Sequence, residues 1–177
     1  MFVMKKSVNV FEYSNRICSA MKRGVLLTTA SGDKVNTMTI GWGHVGIEWG
    51  KAIFVAYVRE SRYTKALLDE TGEFTVNVPL EEADPKILGY CGTKSGRECD
   101  KIRDMDLTVV ESEKIRVPGI KEFPLTLECK VLFSQVQDPV LLPPDIQKRF
   151  YPTDSGEFPD AHTAYYGEIL NAYLITE

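Results

Sequence analysis

Residues 25–30 form a β-branched, apolar run that stops at Ser31, Gly32, Asp33 and Lys34, a cluster with turn chemistry. Beyond it Val35, Thr37 and Thr39 alternate with Asn36, Met38 and Ile40. Two such runs around a Gly-Asp step predict a β-hairpin. Residues 51–58 are apolar on both faces, the pattern of a central, doubly buried strand. Phe74, Val76 and Val78 alternate up to Pro79, which cannot donate to a ladder. Long alternation returns at Leu125, Leu127, Cys129, Val131 and Phe133, and again over residues 164–176.

Helical signals are few and short. Ser61 is placed to cap a helix with Tyr63, Ala66, Leu67 and Glu70 on one face, closed by Gly72 in the left-handed conformation. Asp84-Pro85 predicts a second start, an N-cap followed by the position where proline is welcome. Ser95 to Glu98 fits the capping box S-x-x-E and predicts a third helix from Ser95. Residues 138–160, rich in Pro, Gly and Asp, read as a surface excursion with a single helical turn after Pro144. The pattern predicts one mainly β domain over residues 1–177, a β-barrel with short helices. A doubly wound parallel sheet would need more and longer helices.

Composition narrows the function. The chain has 177 residues, 44% of them hydrophobic, enough for one domain with a real core. Its 21 Lys+Arg against 25 Asp+Glu give a net charge of −4. That balance supplies no basic face for nucleic acid or an anionic membrane, while a local cationic pocket remains compatible with it. Cys18, Cys91, Cys99 and Cys129 contain no C-x-x-C pair and are expected to be buried, reduced thiols. No signal-peptide pattern stands near the N-terminus, and no apolar run approaches the ~18 residues of a membrane span. A cytoplasmic protein without a membrane partner is expected.

Candidate chemistry falls in three segments. Arg59, Ser61 and Thr64 stand where a strand gives way to a helix, whose free N–H groups suit a phosphate; the alternative is a capped helix with two solvated arginines, Arg59 and Arg62. Ser95, Gly96, Arg97 and Lys101 make a second anion-friendly start, or a surface helix with paired charges. Asn36, Thr37 and Thr39 are polar in a run that otherwise seeks burial, so either a cofactor edge or an edge-strand position satisfies them. His44 and His162 lack metal-ligand spacing, and no metal site is expected. Neither a nucleophile elbow nor a G-x-G-x-x-G fingerprint is present.

Taken in order, these segments resemble the flavin reductase-like family, which includes flavoredoxin and has the FMN-binding split-barrel fold. Asn36, Thr37, Met38, Thr39, Ile40, Gly41 and Trp42 fit N-x-M-T-x-S-W except at Gly41. Arg59, Ser61 and Thr64 fit R-x-S-x-x-T, and Gly72 to Pro79 fits G-x-F-x-V-N-V-P. Ser95, Gly96, Arg97, Asp100 and Lys101 fit S-G-R-x-x-D-K, and His162 precedes Tyr166-Gly167-Glu168 as the family's late histidine precedes an aromatic-x-G-E strand. The resemblance implies FMN lying along Asn36–Gly41, its phosphate on Arg59, Ser61 and Thr64, and Ser95, Gly96, Arg97 and Lys101 closing over it. It implies NADH or NADPH as donor, with His162 helping to receive it, and a homodimer with flavin near the interface. Two alternatives remain: an FMN electron carrier reduced by a redox partner protein, and a flavin-binding protein without turnover.

Overall fold

The computed structural model describes residues 3–153 and 158–176. It begins with β1 (Met4–Ser7) and α1 (Ser14–Met21), both outside the patterned segments. The expected hairpin follows as β2 (Val25–Ser31) and β3 (Lys34–Ile40), joined at Gly32, whose φ of 56° suits a two-residue turn. β4 (Gly43–Glu48) pairs with β5 (Lys51–Arg59), the doubly buried strand. α2 (Tyr63–Thr71) and β6 (Glu73–Val78) are separated by Gly72 at φ 66°, the left-handed helix end that the sequence predicts. α3 (Pro85–Thr93) starts at Asp84, whose carboxylate accepts the Lys86 N–H. Then come α4 (Lys101–Asp104), the pair β7 (Val109–Val110) and β8 (Gly119–Ile120), β9 (Leu125–Val136), α5 (Pro144–Phe150) and β10 (His162–Thr176).

Eight strands form one antiparallel sheet in the order β3-β2-β6-β9-β10-β5-β4, with β1 on the outer half of β10. The path ends at β3 and β4 instead of closing, so the mainly β fold is a split barrel. Leu27, Met38, Phe54, Phe74, Val76, Leu125, Leu127 and Tyr165 fill the inside as one apolar cluster. The opposite face of β3, β2, β6 and β9 is also covered, by α3 and the chain from Leu107 to Phe123, and there the sheet buries a polar ladder. Thr28 donates to Thr37, while Asn77 donates to Thr28 at 3.0 Å and Thr75 at 3.1 Å and accepts the Ile120 N–H at 2.9 Å. Every group in this row has a partner, which burial demands.

Several local expectations are corrected. Ser61 does not cap α2: Arg62 holds the cap position, and the Ser61 hydroxyl donates to the Asp160 carboxylate at 2.7 Å, a stronger acceptor. The buried residues of α2 are Thr64, Leu67 and Leu68, because Thr64 turns in to meet Asn36 while Tyr63 stays beside Lys34 and Arg97. No helix starts at Ser95. Its carbonyl accepts the Glu98 and Cys99 N–H groups in a single turn, and α4 begins at Lys101, capped by Asp100, whose carboxylate accepts the Arg103 N–H. After Pro144 the helix runs seven residues, because Gln147 reaches back to the Val140 and Leu142 carbonyls. Of the cysteines, Cys91 and Cys129 are buried, Cys99 is half-buried and Cys18 is exposed.

Asn77→Ala orphans the buried Ile120 N–H and removes a partner from the hydroxyls of Thr28, Thr75 and Thr126. We expect it to lower unfolding free energy by about 3 kcal/mol, read by urea denaturation, with no change in secondary structure.

Candidate functional site

The position of α2 is set from below. Tyr165, buried in the barrel, donates to Asp69 at 2.6 Å, and Lys65 bridges Asp69 at 2.7 Å and Glu60 at 3.5 Å. This network fixes Arg62, Tyr63 and Thr64 against the open edge of β3. Two small cavities meet there and share Met38 and Arg62. The first, of about 170 Å³, lies among Met38 to Trp42, Tyr57, Arg59 and His162. The second, of about 100 Å³, lies among Asn36, residues 61–64, residues 93–96 and Lys101. A larger cavity of about 830 Å³, between α1 and α3, shares only Thr39 with the first.

Asn36 is 3% exposed and donates to Thr64 Oγ1 at 2.9 Å. Gly96 lies directly against it: a Cβ there would stand 2.0 Å from Asn36 Oδ1 and 3.0 Å from Tyr63 Cδ1. Only glycine lets the 95–97 turn come this close. Lys101 is 5% exposed, and its ammonium donates to the Thr37 carbonyl at 3.0 Å and the Cys91 carbonyl at 2.9 Å. Burial pushes its pKa below the usual lysine value. The Thr37 carbonyl thus faces the unpaired side of β3, and antiparallel alternation sends the Thr39 N–H and C=O to that side too.

The threonine side chains take another course. Thr37 Oγ1 donates to the Leu27 carbonyl at 3.3 Å and Thr39 Oγ1 to the Leu88 carbonyl at 2.7 Å. The protein itself supplies the partners that a cofactor edge was expected to give. Ser95 Oγ accepts the Arg97 N–H at 3.2 Å, and Arg97 donates to the Ser61 carbonyl at 3.1 Å.

Arg59 is occupied. Its two terminal nitrogens donate to the Asp160 carbonyl at 2.9 Å and the Phe150 carbonyl at 2.8 Å, fastening the surface excursion to β5. Arg62, which the sequence reading left among the solvated arginines of this segment, has a guanidinium with no hydrogen bond or ion pair to another described residue, and it lines both cavities. Its positive charge reaches Lys101 and His162 and helps lower both pKa values. The signal for it was its place as the residue before a helix start.

His162 is 7% exposed, opposite Arg59 in the β10–β5 register. Its Nδ1 lies 2.8 Å from the Tyr151 hydroxyl and its ring centroid 4.7 Å from that of Trp42. Burial and then Arg59 push its pKa down to about 4, so it is neutral near pH 7. His44 is exposed beside Tyr57 and lines neither cavity. Among the described residues, no group of three or more His, Cys, Asp or Glu could hold a metal.

Residues 18–177 match the model of the flavin reductase like domain. The chain belongs to the flavin reductase-like family. An uncharacterized protein of Archaeoglobus fulgidus is 40% identical over 100 residues, which span 56% of this chain and 55% of that relative. Flavoredoxin from Methanosarcina acetivorans has a similar structure, with a TM-score of 0.62 at 28% identity over 85% of this chain and 67% of the other. The FMN-binding domain of a flavin reductases-like enzyme from Shewanella baltica gives a TM-score of 0.67 at 14% identity, over 98% and 78%, a likeness of fold. In this flavin reductase-like chain, Asn36, Thr64, Gly96 and Lys101 converge at one end of the β3 edge. Met38, Ile40, Gly41, Arg59 and His162 converge at the other.

The depressed pKa of His162 sets a pH dependence. The unfolded chain takes up this proton around pH 6.5, whereas the folded protein does so only near pH 4. The stability due to neutral His162 is therefore complete above that unfolded value and falls as the pH drops towards 4. His162→Gln removes this part of the slope. Denaturation curves at intervals from pH 7 to 4 should separate the two proteins, and identical slopes would exclude His162 as the titrating group.

Proposed function

We propose that this protein binds FMN along the unpaired edge of β3, accepts a hydride from NADH or NADPH and passes electrons to a separate acceptor. The observation that carries this reading is Arg62, an unpaired guanidinium at the start of α2 between the two cavities. A planar fork beside the free N–H groups of a helix start suits a phosphate. Arg62, Thr64 and the Ser95–Gly96 turn hold that phosphate, while Ser61, Arg97 and Lys101 fix the loops around it. The outward backbone groups of Thr39, with Met38, Ile40 and Gly41 beside them, meet the polar edge of the ring. When bound, FMN supplies the hydride and electron chemistry. The chain's own task is to orient it and to keep neutral His162 and Trp42 at the side where the donor arrives.

A second copy completes the assembly. Trp49 and Phe133, 55% and 46% exposed, join Tyr166 in an aromatic cluster on the outer side of β4, β5, β10 and β9. An apolar patch of this kind on a sheet face suits an isologous partner. It lies on the same side as Tyr57, which lines the first cavity, so the dimer brings flavin close to the interface.

Arg62→Ala should weaken FMN binding by about 1.5–3 kcal/mol, the loss of a charge-assisted contact, as read by quenching of flavin fluorescence. Arg59→Ala should instead lower the melting temperature and change FMN affinity less. The reverse ranking would return the phosphate to Arg59. Loss of the visible flavin band on anaerobic addition of NADH or NADPH is expected; a band that persists with both would identify a carrier reduced by a protein partner.

A further inference from the structure

The surface excursion delivers one buried side chain to His162. Tyr151 follows α5, where its N–H donates to the Gln147 carbonyl at 2.8 Å, and it is 7% exposed. Arg59 secures the segment twice: it donates to the carbonyl of Phe150, and its guanidinium carbon stands 5.4 Å from the Tyr151 ring centroid. The phenol then meets the imidazole with the two rings 88° apart and its oxygen 2.8 Å from Nδ1. Trp42, tilted 39° to the imidazole, packs on it at a centroid distance of 4.7 Å. Gln137 is tied to the same pair. Its N–H donates to the His162 carbonyl at 2.8 Å, and its Oε1 lies 3.5 Å from the Tyr151 hydroxyl.

Such a row admits two proton arrangements. In one, the phenol donates to Nδ1 and the single proton of the neutral imidazole sits on Nε2. In the other, Nδ1–H donates to the phenol oxygen, the phenolic proton turns to Gln137, and Nε2 is bare. Distance separates them. An O–H donor spans about 2.5–3.0 Å to its acceptor, so Gln137 at 3.5 Å offers the phenolic proton little, whereas Nδ1 at 2.8 Å makes a full bond. Burial outweighs Arg59 and raises the Tyr151 pKa, which keeps the proton on the phenol. Nε2 makes no hydrogen bond to a described residue. The imidazole lines the cavity of about 170 Å³ beside Met38 to Trp42, while Tyr151 does not.

We propose that Tyr151 is a positioning residue that locks His162 in one tautomer, with Nδ1 as acceptor and Nε2–H as a donor at this cavity. A ring held in this way answers an acceptor atom and presents no bare nitrogen that could take up a proton there. At the flavin site His162 is thus a fixed hydrogen-bond donor and not a general base, a role that rests on the flavin reading above. The tautomer itself rests only on contacts within this chain. The excursion, fastened by Arg59, acts on the site through a single hydroxyl.

Nitrogen-15 NMR of the full, untagged chain near neutral pH tests this. The chain has two histidines, so a long-range proton–nitrogen spectrum holds two ring patterns, and the one lost in His44→Gln, an exposed position, leaves the other to His162. In the parent protein without FMN, Nε2 should carry the proton and Nδ1 should show the shift of a bare, hydrogen-bonded nitrogen. A proton on Nδ1 overturns the proposal. Tyr151→Phe keeps the ring and removes the hydroxyl, so the two nitrogen shifts should draw together as the tautomers exchange. Unchanged shifts would leave Tyr151 with a structural role alone and overturn the proposal as well; if this variant does not fold, the parent spectrum still decides. Fluorescence titration of the parent protein with FMN tests the flavin reading separately. Failure to bind there removes the donor's use and leaves the tautomer result standing.

Discussion

Everything at the candidate site follows from a sheet that does not close. In a complete barrel the outer N–H and C=O groups of β3 would pair with a neighbouring strand, and no space would remain. Here β3 ends the strand order, and the protein manages the exposed edge by a single buried ammonium. Lys101 satisfies the Thr37 carbonyl and ties it to the end of α3. On the proposed reading, the rest of the edge receives the flavin. An open edge would otherwise invite another chain, so covering it on one side with α2 and on the other with the 95–97 turn gives both access and protection.

The strand pattern was legible because each run carried its own local proof. The hairpin has alternation and Gly32, β6 has alternation and Pro79, and β9 and β10 are too long to be read otherwise. β4 escaped because Gly43, His44 and Gly46 interrupt any period, and α1 because only Ile17 and Met21 of its eight residues are buried. The strand-to-helix junction around Arg59 was legible, but not which arginine was free. That depends on the carbonyls of Phe150 and Asp160, brought to Arg59 from 91 and 101 residues away. Likewise Ser61 has the chemistry of a cap, and a distant carboxylate takes its hydroxyl. Local rules fail where a long-range partner is the stronger one.

Contact between Gly96 and Asn36 couples two segments that lie far apart in the chain. With an added Cβ only 2.0 Å from Asn36 Oδ1, a side chain at position 96 requires a smaller residue or a rotated amide at position 36. Rotation would break the bond to Thr64 and loosen the start of α2. The two positions are therefore a matched pair, and substitutions at them are expected to be strongly non-additive.

The polar ladder on the covered side of the sheet carries a further consequence. Thr28, Thr37, Thr75, Asn77 and Thr126 could have been apolar and equally buried. As hydrogen-bonding groups they distinguish one strand alignment from the next. A slip by one residue would turn them into the barrel interior, among Leu27, Val76 and Leu127, where nothing answers their donors and acceptors. The row thus acts as a vernier for assembly: apolar burial drives the strands together, and the ladder decides at which notch they stop.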